Sequence, residues 1–112
     1  MKTFSITDEN TGIIIAYVNF YVEADHKTVH IVEAYTKESC QGKGYFKKIL
    51  SNLKIYCEEN NYTMITLTAA QICQISNDNL MEIYKKCGFI SSKQNKYRMH
   101  LNVTPSNHTP PP

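Results

Sequence analysis

Two glycines flanking a lysine, in Gln41-Gly42-Lys43-Gly44, separate a β-branched run from an amphipathic one. Such a turn, placed before a helix, points backbone N–H groups outward at the positive end of the helix dipole. Glycine also lets a phosphate approach with no Cβ in the way. Anion binding is the chemistry on offer, and a plain strand-to-helix turn is the equal alternative on the loop alone. The spacing is neither G-x-x-x-x-G-K-[ST] nor G-x-G-x-x-G, which excludes the P-loop and the dinucleotide fingerprint. Lys43 either screens phosphate charge or is a solvated loop lysine. Ahead of the loop, Glu33 sits in an otherwise apolar strand, where a carboxylate has a purpose or faces solvent. His30 is close by, and an imidazole can exchange a proton near neutrality. Tyr84, taken alone, reads as a core tyrosine on an apolar helix face.

These groups must be positioned by elements that the pattern itself defines. Lys2 to Thr7 alternates as a strand, and Asp8 to Gly12 is a polar turn ending in glycine. Gly12 to Glu23 predicts a long strand, partly buried on both faces. Ala24 to Lys27 turns the chain, and Thr28 to Thr36 gives a third strand, completing an antiparallel meander. The period then changes: Tyr45, Phe46, Ile49, Leu50, Leu53, Tyr56 and Cys57 share one helical face, and Asn61 is a left-handed stop. A strand over Thr63 to Thr68 follows. A second helix begins after Ser76 or Asn77, carries Leu80, Met81, Ile83, Tyr84 and Cys87, and ends at Gly88. Phe89-Ile90 and Tyr97 to Val103 are the last extended segments. Three strands, helix, strand, helix and one or two strands make an α/β (α+β) domain on a mixed sheet. That domain spans 1–103, and the proline-rich stretch 104–112 is expected to be a disordered tail.

The 112 residues suit one domain, and a net charge of +2 with scattered lysines gives no nucleic-acid footprint. No apolar run approaches the roughly 18–20 residues of a membrane span, and the first residues lack the apolar block of a signal peptide. A cytoplasmic, reducing location is expected. The four cysteines, Cys40, Cys57, Cys73 and Cys87, form no C-x-x-C pair, so reduced thiols and no metal are expected. Cys57 and Cys87 fall on apolar helix faces.

The segment Thr36 to Leu50 resembles the signature of the GNAT superfamily of N-acetyltransferases, Q/R-x-x-G-x-G/A running into a helix. Asn77-Asp78-Asn79-Leu80-Met81-Glu82-Ile83-Tyr84-Lys85-Lys86-Cys87-Gly88-Phe89 is similar to its N-x-x-A-x-x-x-Y-x-K-x-G-F block, with Leu80 at the small position. The resemblance covers residues 2 to 103 and implies a GNAT-like, mostly antiparallel mixed sheet with two main helices. It implies acetyl-coenzyme A as co-substrate, with pantetheine along Ala34, Tyr35 and Thr36. The pyrophosphate would lie on Gln41, Gly42, Lys43, Gly44, Tyr45 and Phe46, and Asn77 would fix the second helix against the coenzyme or cap it. Tyr84 becomes the acid for the leaving thiolate. Glu33 becomes the base, with His30 or an amine already deprotonated as alternatives. A coenzyme-binding domain with little turnover is the competing reading.

Three departures qualify the implication. Phe46 stands where the family has Gly or Ala, which is tolerated if the ring points into the core. Residues 69 to 75 look long, and either extend the second helix backwards or form an extra turn over the coenzyme. Family members usually carry a strand and two helices before the opening hairpin, so the acceptor pocket is expected to be open or completed by another subunit. The exposed edge strand that results predicts a homodimer. The nearest local likeness is to glucosamine-6-phosphate N-acetyltransferases, whose strand reads like His30-Ile31-Val32-Glu33 but is acidic where Val32 stands. The acceptor amine itself, an amino sugar, a small amine or a peptide amine, stays open.

Overall fold

Alternation sets the first hairpin. β1 (Lys2–Thr7) and β2 (Ile14–Glu23) pair antiparallel, with Phe4 opposite Val18 and Lys2 opposite Phe20. The turn between them is organised by Asp8, whose carboxylate accepts from the N–H groups of Asn10 (2.8 Å) and Thr11 (3.1 Å). Gly12 stays in that turn at φ 74°, so β2 begins two residues later than its composition suggests. Ala16, Val18 and Phe20 are buried, whereas Tyr17 and Asn19 are half-buried and Tyr21 is exposed. One face of β2 is therefore core and the other is open, in place of the expected partial burial on both. A short 3-10 turn, Ala24–His26, and Lys27 in the left-handed region lead into β3 (Thr28–Thr36).

The computed structural model describes residues 1–69 and 76–103. The helix extension or extra turn expected beyond Ala69 and the expected disordered tail lie outside the described residues. After β3 come a 3-10 turn (Glu38–Cys40), α1 (Tyr45–Asn60), β4 (Met64–Thr68), α2 (Asn77–Lys86), β5 (Ile90–Ser91) and β6 (Arg98–Asn102). Asn61 stops α1 at φ 61°, its N–H bonded back to the helix carbonyls. The six strands form one sheet in the order β1-β2-β3-β4-β6-β5, antiparallel except for β3 and β4. The fold is the mixed, mostly antiparallel sheet with two helices that the sequence predicts.

Helix α1 lies on the face of Phe4 and Phe20, where the Tyr56 ring meets both at 5.7 Å between centroids. Ile49, Leu50, Leu53 and Cys57 complete this core with Val18, Val29 and Ile65. Tyr84 of α2 meets Phe46 of α1 at 5.1 Å, so the two helices adjoin on one side. The opposite face carries Tyr17, Asn19, Tyr21, His30 and Glu33, and no described helix crosses it.

A single irregularity shapes everything that follows. Asn19 pairs with Glu33 but Phe20 pairs with Ile31, which leaves Val32 as an unpaired bulge, 55% exposed. Bulges bend the strand that carries them. β3 pairs with β4 only from Thr28 to His30, against Met64 to Thr66, and then runs on to Thr36 without it. The two parallel strands part beyond His30, and a gap opens in the middle of the sheet.

Candidate active site at the gap between β3 and β4

On the helix side, the gap opens into a cleft of about 200 Å³ lined by Ala34, Tyr35 and Thr36 and by Gln41, Gly42, Gly44, Tyr45 and Phe46. Leu80, Ile83 and Tyr84 of α2, with Cys87 just after its end, form the facing wall. The Lys37 N–H donates to Ile15 across the sheet (2.7 Å). Strand residues alternate the edge to which their N–H and C=O point, so Tyr35 addresses β2 while Ala34 and Thr36 address the gap. Gln41 Nε2 donates to the Thr36 carbonyl (3.3 Å), tying the glycine loop to the end of β3.

The loop presents donors. Gly42 and Gly44 have φ of 76° and 84°, and a Cβ built on either would meet no atom within 4 Å. Gly44 caps α1 without a side-chain bond, and among the described residues nothing accepts from the N–H groups of residues 42 to 46. A helix N-terminus open in this way attracts anions. Lys47 also lines the cleft, whereas Lys43 is exposed and does not. Asn77 is half-buried, and its Oδ1 is fully buried with no partner among the described residues. The cap of α2 is Ser76, whose hydroxyl accepts from the Asn79 N–H (3.2 Å), so Asn77 is left free of that role.

Tyr84 is only 5% exposed and lines the cleft, and its hydroxyl makes no hydrogen bond among the described residues. Burial, with Cys87 adding, pushes the phenol up to about 12. It therefore holds its proton throughout the ordinary pH range and faces the cleft as a donor. Phe46 packs on Tyr84 and against the core, which is how a ring fits where a small residue is usual.

The family model for the acetyltransferase (GNAT) family matches residues 2–89. The chain belongs to the GNAT acetyltransferase family. Solved structures agree on the fold at low identity. The GCN5 of Tetrahymena superposes with a TM-score of 0.74 at 14% identity, over 92% of this chain and 68% of its own. A GNAT-family acetyltransferase of Staphylococcus aureus gives 0.75 at 15%, over 91% and 67%. A spermidine N-acetyltransferase chimera built from a Vibrio cholerae protein gives 0.67 at 19%, over 89% and 65%. The chain thus spans about two thirds of the length of these proteins. No curated protein is similar to it in sequence. Acetyl transfer to amines from acetyl-coenzyme A is the general reaction of the GNAT family.

In this GNAT domain the gap also opens on the other side of the sheet. There a wider cavity of about 710 Å³ is lined by Tyr21, His30, Val32, Thr66, Thr68, Arg98 and His100, among others. His30 is held at both nitrogens, by Glu23 Oε1 at Nε2 (2.9 Å) and Thr66 Oγ1 at Nδ1 (2.6 Å). The bond from His30, followed by that from His26, holds the Glu23 carboxyl below its usual range. Glu33, expected as the base, lines neither cavity. Its carboxylate accepts from Tyr17 Oη (3.0 Å) and Asn19 Nδ2 (2.9 Å) on the open face.

The structure brings together Ala34 to Thr36, the Gln41 to Phe46 loop and Tyr84, and sets Glu33 apart. Leu80, Ile83 and Cys87 are wall residues that the motif alone does not mark, although Leu80 and Cys87 stand four and three residues from Tyr84, and Ile83 three and four from Leu80 and Cys87, on one helical stripe. Burial raises the Cys87 thiol, against the pull of Lys47 and Lys54. Thr66, Arg98 and His100 carried no signal in the sequence, because only strand pairing assembles them.

Proposed function

We propose that this protein transfers the acetyl group of acetyl-coenzyme A directly to an amine, with Tyr84 as the acid. The observation that carries this is the unpartnered Tyr84 hydroxyl in the same cleft as the open glycine loop and the free edge of β3. The residues present fit the coenzyme: unpaired N–H groups at 42 to 46 suit its pyrophosphate, and Ala34 and Thr36 suit the amides of pantetheine. Asn77 does not line the cleft, and its buried Oδ1, unpartnered among the described residues, leaves it the role of fixing α2 beside the coenzyme. Acetyl-coenzyme A supplies an acyl group already activated as a thioester. The Ala34 N–H, facing the gap, is placed to hold charge that develops on a carbonyl oxygen.

The acceptor's proton leaves on the other side of the sheet. A carboxylate only accepts hydrogen bonds, so Glu23 takes the Nε2–H of His30, and the Nδ1 lone pair accepts the Thr66 hydroxyl. As the amine gives its proton to Thr66 Oγ1, Thr66 passes its own to His30 Nδ1, and Glu23 holds the imidazolium. His30 lines the acceptor-side cavity and Glu33 does not, which favours His30 as base. Glu33 is left to order Tyr17 and Asn19 on the open face. Two copies joined along the outer edge of β1, which no described strand covers, remain our proposal for assembly, tested by solution mass.

The test is release of coenzyme A thiol across a panel of amines. Tyr84→Phe is expected to lower kcat about 100-fold while leaving coenzyme affinity intact. Coenzyme binding without thiol release on any amine, and no effect of Tyr84→Phe, would replace the transferase by a coenzyme-binding module.

A further inference from the structure

The acceptor-side cavity has an unusual charge. Among the described residues its lining holds no aspartate, glutamate or lysine, and its ionisable groups are Arg98, His30, His100 and Tyr21. Arg98 is the only arginine of the chain. Its guanidinium has no ion-pair or hydrogen-bond partner among the described residues, whereas His30 is already matched by Glu23. The β4–β6 register places these groups together. Thr66 pairs with His100 and Thr68 with Arg98, two residues along the same strands and on the same face. The two rows are therefore about 7 Å apart. The Thr68–Arg98 row stands at the end of β4 where β3 has already departed, next to the gap.

An amine is a cation in neutral water. A cavity whose permanent charge is one unpaired guanidinium repels it, unless the same molecule brings an anion. Arg98 offers a planar fork of donors suited to a carboxylate or a phosphate. Thr68 and His100 flank it with further polar atoms. Resting on the transferase reading above, we infer that the acceptor is an amine bearing a carboxylate or phosphate, with Arg98 as its anchor. A polyamine or a lysine side chain with no anion beside it would meet the wrong charge here.

The experiment compares acceptors matched in size. Amino acids are set against their amides, and phosphoethanolamine against ethanolamine, with spermidine as the polycation. Each is measured for thiol release and, on the coenzyme-A-loaded protein, for binding by calorimetry. The anionic member of at least one pair is expected to win by about 10- to 100-fold in kcat/KM or in affinity. The pair that wins tells carboxylate from phosphate. Arg98→Ala should abolish the preference, and Arg98→Lys should restore part of it, with coenzyme binding and melting temperature unchanged in both. Amides, ethanolamine or spermidine binding as well as the anionic amines, or an Arg98→Ala variant with the preference intact, would overturn the inference. Binding that follows Arg98 without any thiol release would defeat the transferase reading and leave the anion site standing.

Discussion

Thr66 offers its hydroxyl to His30 at 2.6 Å, and His30 reaches Glu23 at 2.9 Å, so residues of three strands, β2, β3 and β4, form one chain of hydrogen bonds, the proton path proposed above. Thr66→Val keeps the branched shape that a strand favours but removes the hydroxyl. We predict a fall in kcat/KM of at least about tenfold, with a melting temperature close to that of the parent. The acid limb of the pH–rate profile, set by the base losing its proton, should change in Thr66→Val and disappear in His30→Gln. An unmoved profile in both would return the role to Glu33 or to solvent. Tyr84 was readable in the sequence because a local motif surrounds it. Thr66 was not: 36 residues separate it from His30, and nothing joins them until β3 and β4 pair in parallel. Glu33 is a carboxylate among apolar residues on the same face as His30, and a linear reading cannot tell that it lies beside Tyr17 and Asn19, outside both cavities.

At the scale of elements, the switch from a two-residue to a helical period fixed β3 at Thr28–Thr36 and the start of α1 at Tyr45. The bulge at Val32 left no such trace. A one-residue slip reverses the facing of every residue beyond it, and the gap that makes the site follows from that slip and from β3 outrunning β4. Ser76 in place of Asn77 as cap is a smaller case, since both side chains can do it. The glycine loop gives the sharpest test at this scale. Gly44→Ala forces a Cβ residue into φ 84°, costing about 1–2 kcal/mol, and puts a methyl group where an anion would approach. Gly12 has a similar φ of 74° and equally open surroundings, but sits in the β1–β2 turn and lines neither cavity. Both alanine variants should lose similar stability in urea. Only Gly44→Ala should lose coenzyme A affinity by calorimetry, about tenfold. Equal affinities would remove the loop from the coenzyme site.

Among the described residues the core holds Cys57 and Tyr84, with Tyr56 and Cys87 packed against it, and burial raises all four, which sets a limit at alkaline pH. Cys57 is fully buried and its thiol is raised by burial from 9.0 to about 11. Tyr84 is raised, chiefly by burial, from 10.0 to about 12. Both folded values exceed the unfolded ones, so both groups favour the folded state fully below the unfolded values, and that contribution is lost as pH rises through the folded ones. Stability should hold to about pH 9. It should then fall by at least about 1.4 kcal/mol per pH unit as Cys57, joined by Cys87, comes into play, and by at least about twice that between pH 10 and 11, where the windows of Cys57 and Tyr84 overlap. The loss is a large part of a small domain's stability of about 5–15 kcal/mol, so the alkaline fall should be steep above pH 10. Urea midpoints measured at half-unit steps check this. Cys57→Ala should cost about 1–2 kcal/mol at pH 7 yet make the fall that begins near pH 9 shallower, and Tyr84→Phe should remove the upper part of it. A midpoint that stays flat from pH 9 to 11 would mean that water reaches Cys57 and that the packing of α1 on the sheet is looser than Phe20, Leu53 and Ile65 around it suggest.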